Sequence, residues 1–289
     1  MKYAFIEDKD RGIVSGVCVN CSTFLLLATM KRWRPQSVRA LANQTVREQI
    51  AQTHVESRGT YGRPRIHAEL RAQGVTIGIN RIGRLMKAAG IKGIAPRRFR
   101  KTTDSTHTLP IAENILDRQF DIKQIASCNR VCAGDITYLP TREGLLYLAV
   151  DIDLVSRRVI GWSMSTSMER SLVINAFRSA IRSRRSTSGT IFHSGRGSQY
   201  ANEDFRNLLK VSGMRASMSR KAECWDNACV EGFFGSMKRE LGDPIWDSRV
   251  IAQATIFDNI EIWYNQKRRH STFGYVSPEE YESSPPPAA

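Results

Sequence analysis

The sequence predicts an α/β fold, a mixed sheet flanked by helices, with a small all-α segment ahead of it. Three observations carry this. Cys132 to Leu139, Leu145 to Ile152 and Arg157 to Met164 are short apolar or β-branched runs joined by brief connections, the pattern of a three-stranded meander. From Ser171 onward the apolar spacing turns helical, and helix-type and strand-type runs then alternate. Before the strands lies a basic stretch whose apolar residues recur at helical intervals.

Taken in order, the chain opens on Glu7, Asp8 and Asp10, followed by Gly12 to Met30 without one charged residue. Acids ahead of it, with Asn20, Ser22, Thr23 and two glycines inside it, argue against a signal peptide or membrane span. A buried or misfolded segment is expected instead. Gly59 to Lys101 then holds eleven Lys/Arg and a single acid, Glu69. Pro64 suits the first turn of a helix with Ile66 and Leu70 on one face, which Gly74 can end. A second helix is expected with Asn80 as N-cap, Ile82, Leu85, Met86 and Ala89 as its apolar stripe, and Gly90 as its stop. Arg81, Arg84 and Lys87 recur on the opposite face, where a recognition helix presents cations to phosphates or bases. An ordinary solvated basic face would show the same spacing.

A polar linker from Arg97 leads into the strands. After the meander come a helix over Ser171 to Ser183, a strand over Thr190 to His193, a helix over Asn202 to Val211, a strand over Met214 to Met218, and a helix that Asn227 would cap. Three antiparallel strands followed by helix, strand, helix, strand and helix is the order of a ribonuclease-H-like sheet. The expected divisions are an N-terminal segment 1–58, a helix-turn-helix-like domain 59–96, a linker 97–125, a core 126–245, and a C-terminal helix and tail 246–289, the tail ending near Pro285-Pro286-Pro287.

With 289 residues of which 41% are hydrophobic, the chain can bury an ordinary core. A formal charge of +15 selects a polyanionic partner, and nucleic acid is the first such class; an anionic membrane surface would draw on the same charge. Cys18 and Cys21, and Cys128 and Cys132, have zinc-like spacing, but no histidine accompanies either pair, which favours buried free thiols in a reducing cytosol.

Phosphodiester cleavage needs a nucleophilic oxygen activated and a leaving oxygen stabilised, work that two Mg²⁺ ions roughly 3.5–4 Å apart can share. Hard cations demand oxygen ligands. Asp135 lies inside the first strand, where a buried acid is costly without a cation or partner, although an acid on the solvent face of an edge strand would read alike. Glu231 lies off the stripe Val230, Phe233, Phe234 and Met237 and shares its face with Asn227, Gly235 and Lys238. Lys238 is placed to hold a phosphate. Alone, each acid is ambiguous.

Motifs resolve the ambiguity. Gly134-Asp135-Ile136-Thr137-Tyr138, Ser156-Arg157-Arg158-Val159-Ile160-Gly161-Trp162, Phe192-His193-Ser194-Gly195-Arg196-Gly197-Ser198-Gln199-Tyr200, and Asp226-Asn227-Ala228 through Glu231 closely resemble the integrase core of bacterial insertion-sequence transposases. The likeness is to the insertion-sequence-three family, the product of its second reading frame. It continues through Trp263-Tyr264-Asn265, Arg268-Arg269-His270-Ser271 and Gly274 to Pro278, and back through Gly59-Thr60-Tyr61-Gly62.

That resemblance implies a ribonuclease-H-like integrase core preceded by a small all-α, helix-turn-helix-like domain. It also implies DNA cleavage and strand transfer by two Mg²⁺ (or Mn²⁺) ions held on an Asp, Asp, Glu triad. Asp135 and Glu231 match the first and third acids as catalytic and metal-binding residues, and Arg81, Arg84, Lys87, Arg97, Arg98 and Lys238 are the expected DNA contacts. Double-stranded DNA, both element ends and target, would be the partner of a homo-oligomer in a bacterial cytoplasm at the nucleoid, together with an upstream reading-frame product; no membrane is implied. The family spaces its last two acids by 35 residues, and the same spacing back from Glu231 falls on Gly195, where the second Asp belongs. Impaired or absent catalysis is therefore expected. Compensating frameshifts across the uncharged Gly12–Met30 stretch would explain the second departure from the family. A catalytically inactive DNA-binding remnant or inhibitor, and a ribonuclease-H-type nuclease, are the competing readings; Lys267-Arg268-Arg269 favours transposition over the nuclease, because long duplex ends must be held.

Overall fold

The computed structural model describes residues 37–95, 109–118, 125, 127–184, 188–220 and 224–284. Cys18, Cys21, the uncharged Gly12–Met30 stretch, Arg97, Arg98 and the proline tail lie outside them. Contacts divide the chain between Gln52 and Thr53.

Helix α1, Val38–Glu56, crosses that division; Val38, Leu41 and Val55 are exposed on it, while Ile50 and Thr53 are buried. Helix α2, Arg63–Ala72, starts on Pro64 in its first turn and buries Ile66 and Leu70 as expected. Helix α3, Ile79–Ala88, buries Ile82, Leu85 and Met86, which leaves Arg84 and Lys87 exposed and Arg81 half-buried. Two details of α3 differ from expectation. Its N-cap is the extended Gly78, whose carbonyl accepts the Arg81 and Ile82 N–H groups at 2.9 and 3.2 Å, so Asn80 sits inside the first turn. Ala89 is the exposed C-cap and not part of the buried stripe.

The sheet follows from the alternation read in the sequence. Strands β1 (Val131–Thr141), β2 (Gly144–Asp153) and β3 (Val159–Ser165) form the antiparallel meander, while β4 (Ile191–Ser194) and β5 (Arg215–Met218) add in parallel beside β1. The order is β3-β2-β1-β4-β5. Helix α4, Arg170–Ser183, packs on one face, with the short α5, Ser198–Ala201, and α6, Glu203–Val211. There Phe177, Phe192 and Phe205 meet edge to face at centroid distances of 5.3 to 5.5 Å, all three fully buried. Such pairs add to the burial of each ring, and removing one ring costs about 3–5 kcal/mol.

Helix α7, Ala228–Glu240, covers the other face. Its Val230, Phe233, Phe234 and Met237 pack on Ala133, Leu148 and Val150 together with Ala252 and Ile256 of α8, Arg249–Phe257. Helix α8 continues as a wider π-type coil over Asp258–Lys267, and α9, Pro278–Ser283, opens on a capping box between Ser277 and Glu280. A π segment of this length is uncommon. It receives α2: the Tyr61 hydroxyl accepts the Arg269 N–H at 2.7 Å, Arg269 is ion-paired with Glu69, and Arg58 with Asp258 at 2.6 Å.

Candidate active site

Asp135 points toward the face of the sheet that α7 covers. Alternation along β1 places Ala133 and Asp135 there, and Cys132 and Gly134 on the other side. Strand β4 runs parallel to β1 with Gly134 opposite Ser194 as the last pair in register, so Asp135 and Gly195 emerge next to each other, one residue further on. Glu231 comes from the first turn of α7 above this edge. Its carboxyl feels the charge of Asp135. The structure thus brings positions 135, 195 and 231 to one place.

Neither acid has a basic partner among the described residues. Asp135 accepts only the N–H of Ile136, at 2.9 Å, and burial pushes it up to about 6. Burial, then the charge of Asp135, pushes Glu231 up to about 7. Two half-buried carboxylates repelling each other without a counter-charge form an all-oxygen donor set, which fits a hard divalent cation. At Gly195 the donor is missing: an added Cβ would meet nothing within 4 Å, so that corner is open space. The residues present fit one ion between Asp135 and Glu231 better than two.

Other side chains support this arrangement. Asn227 stands at the N-cap position of α7 but does not cap it; its Nδ2 donates to the Gly134 carbonyl at 3.3 Å instead. The backbone geometry there, φ −123° and ψ 26°, is not that of a capping residue, and the bond ties the start of α7 to β1 beside Asp135. His193 is buried between two hydroxyls, Nδ1 at 2.9 Å from Ser217 and Nε2 at 3.2 Å from Ser219. Burial pushes it down to about 4, so it is a neutral internal brace between β4 and β5. The Lys238 ammonium lies over the Tyr138 ring at 4.7 Å, and burial lowers its pKa.

Several sequence expectations change here. His67 bonds the Ile77 carbonyl at 3.0 Å, and His270 stacks on Phe273 at 5.2 Å, where the sequence left phosphate contact and plain solvation equally open for both. Of Lys267-Arg268-Arg269 only Lys267 is exposed. Arg268 is buried against Glu240 at 2.7 Å and Arg269 is held by Glu69, because the docking of α2 needs those charges internally. Asp151, cross-strand from Gly134, was not singled out by sequence; it is buried with Oδ2 unpartnered, and burial raises its pKa well above the ordinary range. Its place directly opposite a glycine was the available signal: a Cβ on Gly134 would come within 2.7 Å of Asp151 Oδ1.

Among the described residues one other group has ligand-type atoms together, Cys128, Asp153 and Glu282, within 4.8 Å of one another. It is closed by protein bonds. Asp153 accepts N–H groups from Asn129, Val155 and Ser156, and Glu282 is paired with Arg158 and Arg184. Cys128 and Cys132 are free thiols, the first pushed up to about 11 by burial and the nearby Asp153 and Glu282. No helix of the described residues is long and apolar enough to cross a membrane.

Comparisons with known proteins give the family. The family described as Integrase core domain matches residues 126–224 and, in a second form, 212–278, and an HTH-like domain matches 41–99. The chain is 38% identical over 289 residues to Transposase InsF for insertion sequence IS3A of Escherichia coli (strain K12), covering 98% of this chain and 99% of that protein. It is also 38% identical over 246 residues to the insertion element IS600 uncharacterized 31 kDa protein of Shigella sonnei, covering 85% and 89% respectively. Among solved structures, the HTLV-2 integrase catalytic core domain in complex with magnesium is 18% identical, with 53% of this chain and 95% of that one covered and a TM-score of 0.39.

Proposed function

The chain belongs to the insertion-sequence-three transposases and carries their integrase core, and from that premise we propose that it binds element DNA while being severely impaired in cutting and joining it. The observation that supports this reading most directly is the register of β1 and β4, which sets Gly195 where a carboxylate would face Asp135.

In this reading Asp135 and Glu231 hold a divalent cation, Mg²⁺ or Mn²⁺. When bound, the metal centre activates the attacking oxygen and stabilises the leaving oxygen at phosphorus. The protein's own part is positional. Strand β1 fixes Asp135, the Asn227 bond to the Gly134 carbonyl fixes the start of α7 and with it Glu231, and Lys238 stands two turns further along to meet a strand phosphate. Gly195 brings no oxygen, so a second cation loses a ligand and the charge on the reacting phosphate is less well balanced. Residues acting as one catalytic unit are not additive, and losing one removes most of the rate.

DNA binding does not depend on that carboxylate. Arg84 and Lys87 are exposed on α3, with Arg81 half-buried beside them, and the basic segment supplies most of the chain's charge. Arg97 and Arg98 extend this assignment on sequence grounds. A chain that grips element ends without processing them would act as an inhibitor of intact copies. Assembly as a homo-oligomer on DNA, and cooperation with an upstream reading-frame product, belong to the same proposal.

Gel-shift, strand-transfer and Mn²⁺-counting measurements on the full chain test this reading together. The expected result is duplex binding, no more than one tightly bound Mn²⁺, and no strand transfer. Two tightly bound ions with efficient strand transfer would overturn it.

A further inference from the structure

Arg65, Arg239 and Arg268 converge on a cavity of about 140 Å³ between α2 and the C-terminal end of α7. One water needs only about 10–15 Å³, so there is room for a larger group. Among the described residues the only acid in the lining is Glu240, and both of its oxygens are engaged: Oε1 accepts the Arg268 Nε–H at 2.7 Å and Oε2 the Trp263 indole N–H at 2.8 Å. Arg65 gives its Nε–H to the Arg269 carbonyl at 3.1 Å and lies over the Tyr61 ring at 5.6 Å. Arg239 gives its Nε–H to the Gly235 carbonyl at 2.9 Å and reaches the Ser236 hydroxyl at 3.4 Å. Among the described residues neither is ion-paired with a carboxylate.

Three guanidinium groups against one carboxylate leave a concave site with excess positive charge. Burial and the proximity of Arg268 lower the Arg65 pKa, which is the electrostatic cost of that excess. An anion relieves it. Arg forks match the acceptor-only oxygens of phosphate, and the Ser236 hydroxyl has a proton to give.

We infer that this cavity is a binding site for a backbone phosphate of DNA, gripped jointly by the N-terminal helical pair and the helix that carries Glu231. Eight residues separate Glu231 from Arg239 on α7, about 12 Å along the axis at 1.5 Å per residue. The contact would couple DNA recognition to the placement of Glu231. This inference rests on the DNA-binding reading above.

The test uses the full chain and its R65Q and R239Q variants, with two readouts. Inorganic phosphate should raise the melting temperature of the wild type and raise it much less in either variant, since a ligand stabilises the state that binds it. Duplex affinity should fall about tenfold in each variant, and the slope of log affinity against log salt should shrink by about 0.9 for the lost phosphate contact. Arg239 is half-exposed at a helix end, so R239Q is expected to fold, and R239K should recover part of both effects. Variants that keep the wild-type phosphate response and the wild-type salt slope would overturn the site. A lost phosphate response with an unchanged DNA slope would show a free-anion site and overturn the DNA assignment. Wild-type protein that takes up phosphate through these arginines but binds no duplex would instead refute the DNA-binding function while leaving the anion site standing.

Discussion

Asp135 within β1 and Gly195, just past the end of the parallel β4, lie side by side, one residue beyond the Gly134–Ser194 pair. With no basic partner for Asp135 or Glu231 among the described residues, the carboxyl pair is an electrostatic burden on the metal-free fold, and this has a measurable pH signature. Folding raises Asp135 from 3.8 to about 6 and Glu231 from 4.5 to about 7. The folded state therefore holds these protons more tightly than the unfolded chain. The stability they confer is full below about pH 4 and is lost as pH rises through about 6 to 7. Asp135→Asn should raise the melting temperature of the metal-free protein at pH 8 and leave it unchanged at pH 4. Equal shifts at both pH values would show that the effect is packing and not charge.

Gly134 faces Asp151 across β1 and β2, and a methyl group there would meet both Asp151 Oδ1 and the Phe192 ring carbon Cζ at 2.7 Å. Gly134→Ala should cost about 1–3 kcal/mol in urea unfolding, as overpacking does. Combined with Asp151→Ala it should cost less than the sum of the single changes, because the two share one space. Additive costs would place the strain elsewhere.

The basic residues of α3 and those near the C-terminus should behave differently in salt titrations. Lys87→Ala removes an exposed cation and should lower the salt slope of duplex binding by about 0.9 with little change in stability. Arg269→Gln should leave the slope unchanged and lower the melting temperature, because Arg269 is spent on Glu69 and the Tyr275 carbonyl. A reversed pattern would move the DNA footprint to the C-terminal segment.

How far each of these features could be read from sequence depended on its physics. The strands and the stripes of α2, α4 and α7 were legible because burial imposes a period on the residue pattern. Helix α1 was not, since its apolar residues are scattered, with Ile50 buried while Val38, Leu41 and Val55 are exposed. Asn227 was read as a cap from its position, whereas its side chain bonds a strand carbonyl distant in sequence. The arginines at 268 and 269 looked like a DNA surface because a run of charge does not reveal which members find internal partners. Asp135 and Glu231 became distinguishable from ordinary surface acids only through motif resemblance, while the cavity of Arg65, Arg239 and Arg268 joins residues too far apart in the chain to show any spacing.

We propose that the carboxylate missing at position 195 is what chiefly separates this chain from an active enzyme. Gly195 has an unstrained backbone and open space where its side chain would stand, so an aspartate fits without displacing a neighbour. Strand transfer by Gly195→Asp, measured beside the wild type at equal DNA occupancy and saturating Mg²⁺, is the direct test. A gain of at least about a hundredfold over a nearly inactive wild type is expected. A folded, DNA-bound Gly195→Asp protein no more active than the wild type would contradict it, as would a wild type already as active as the variant.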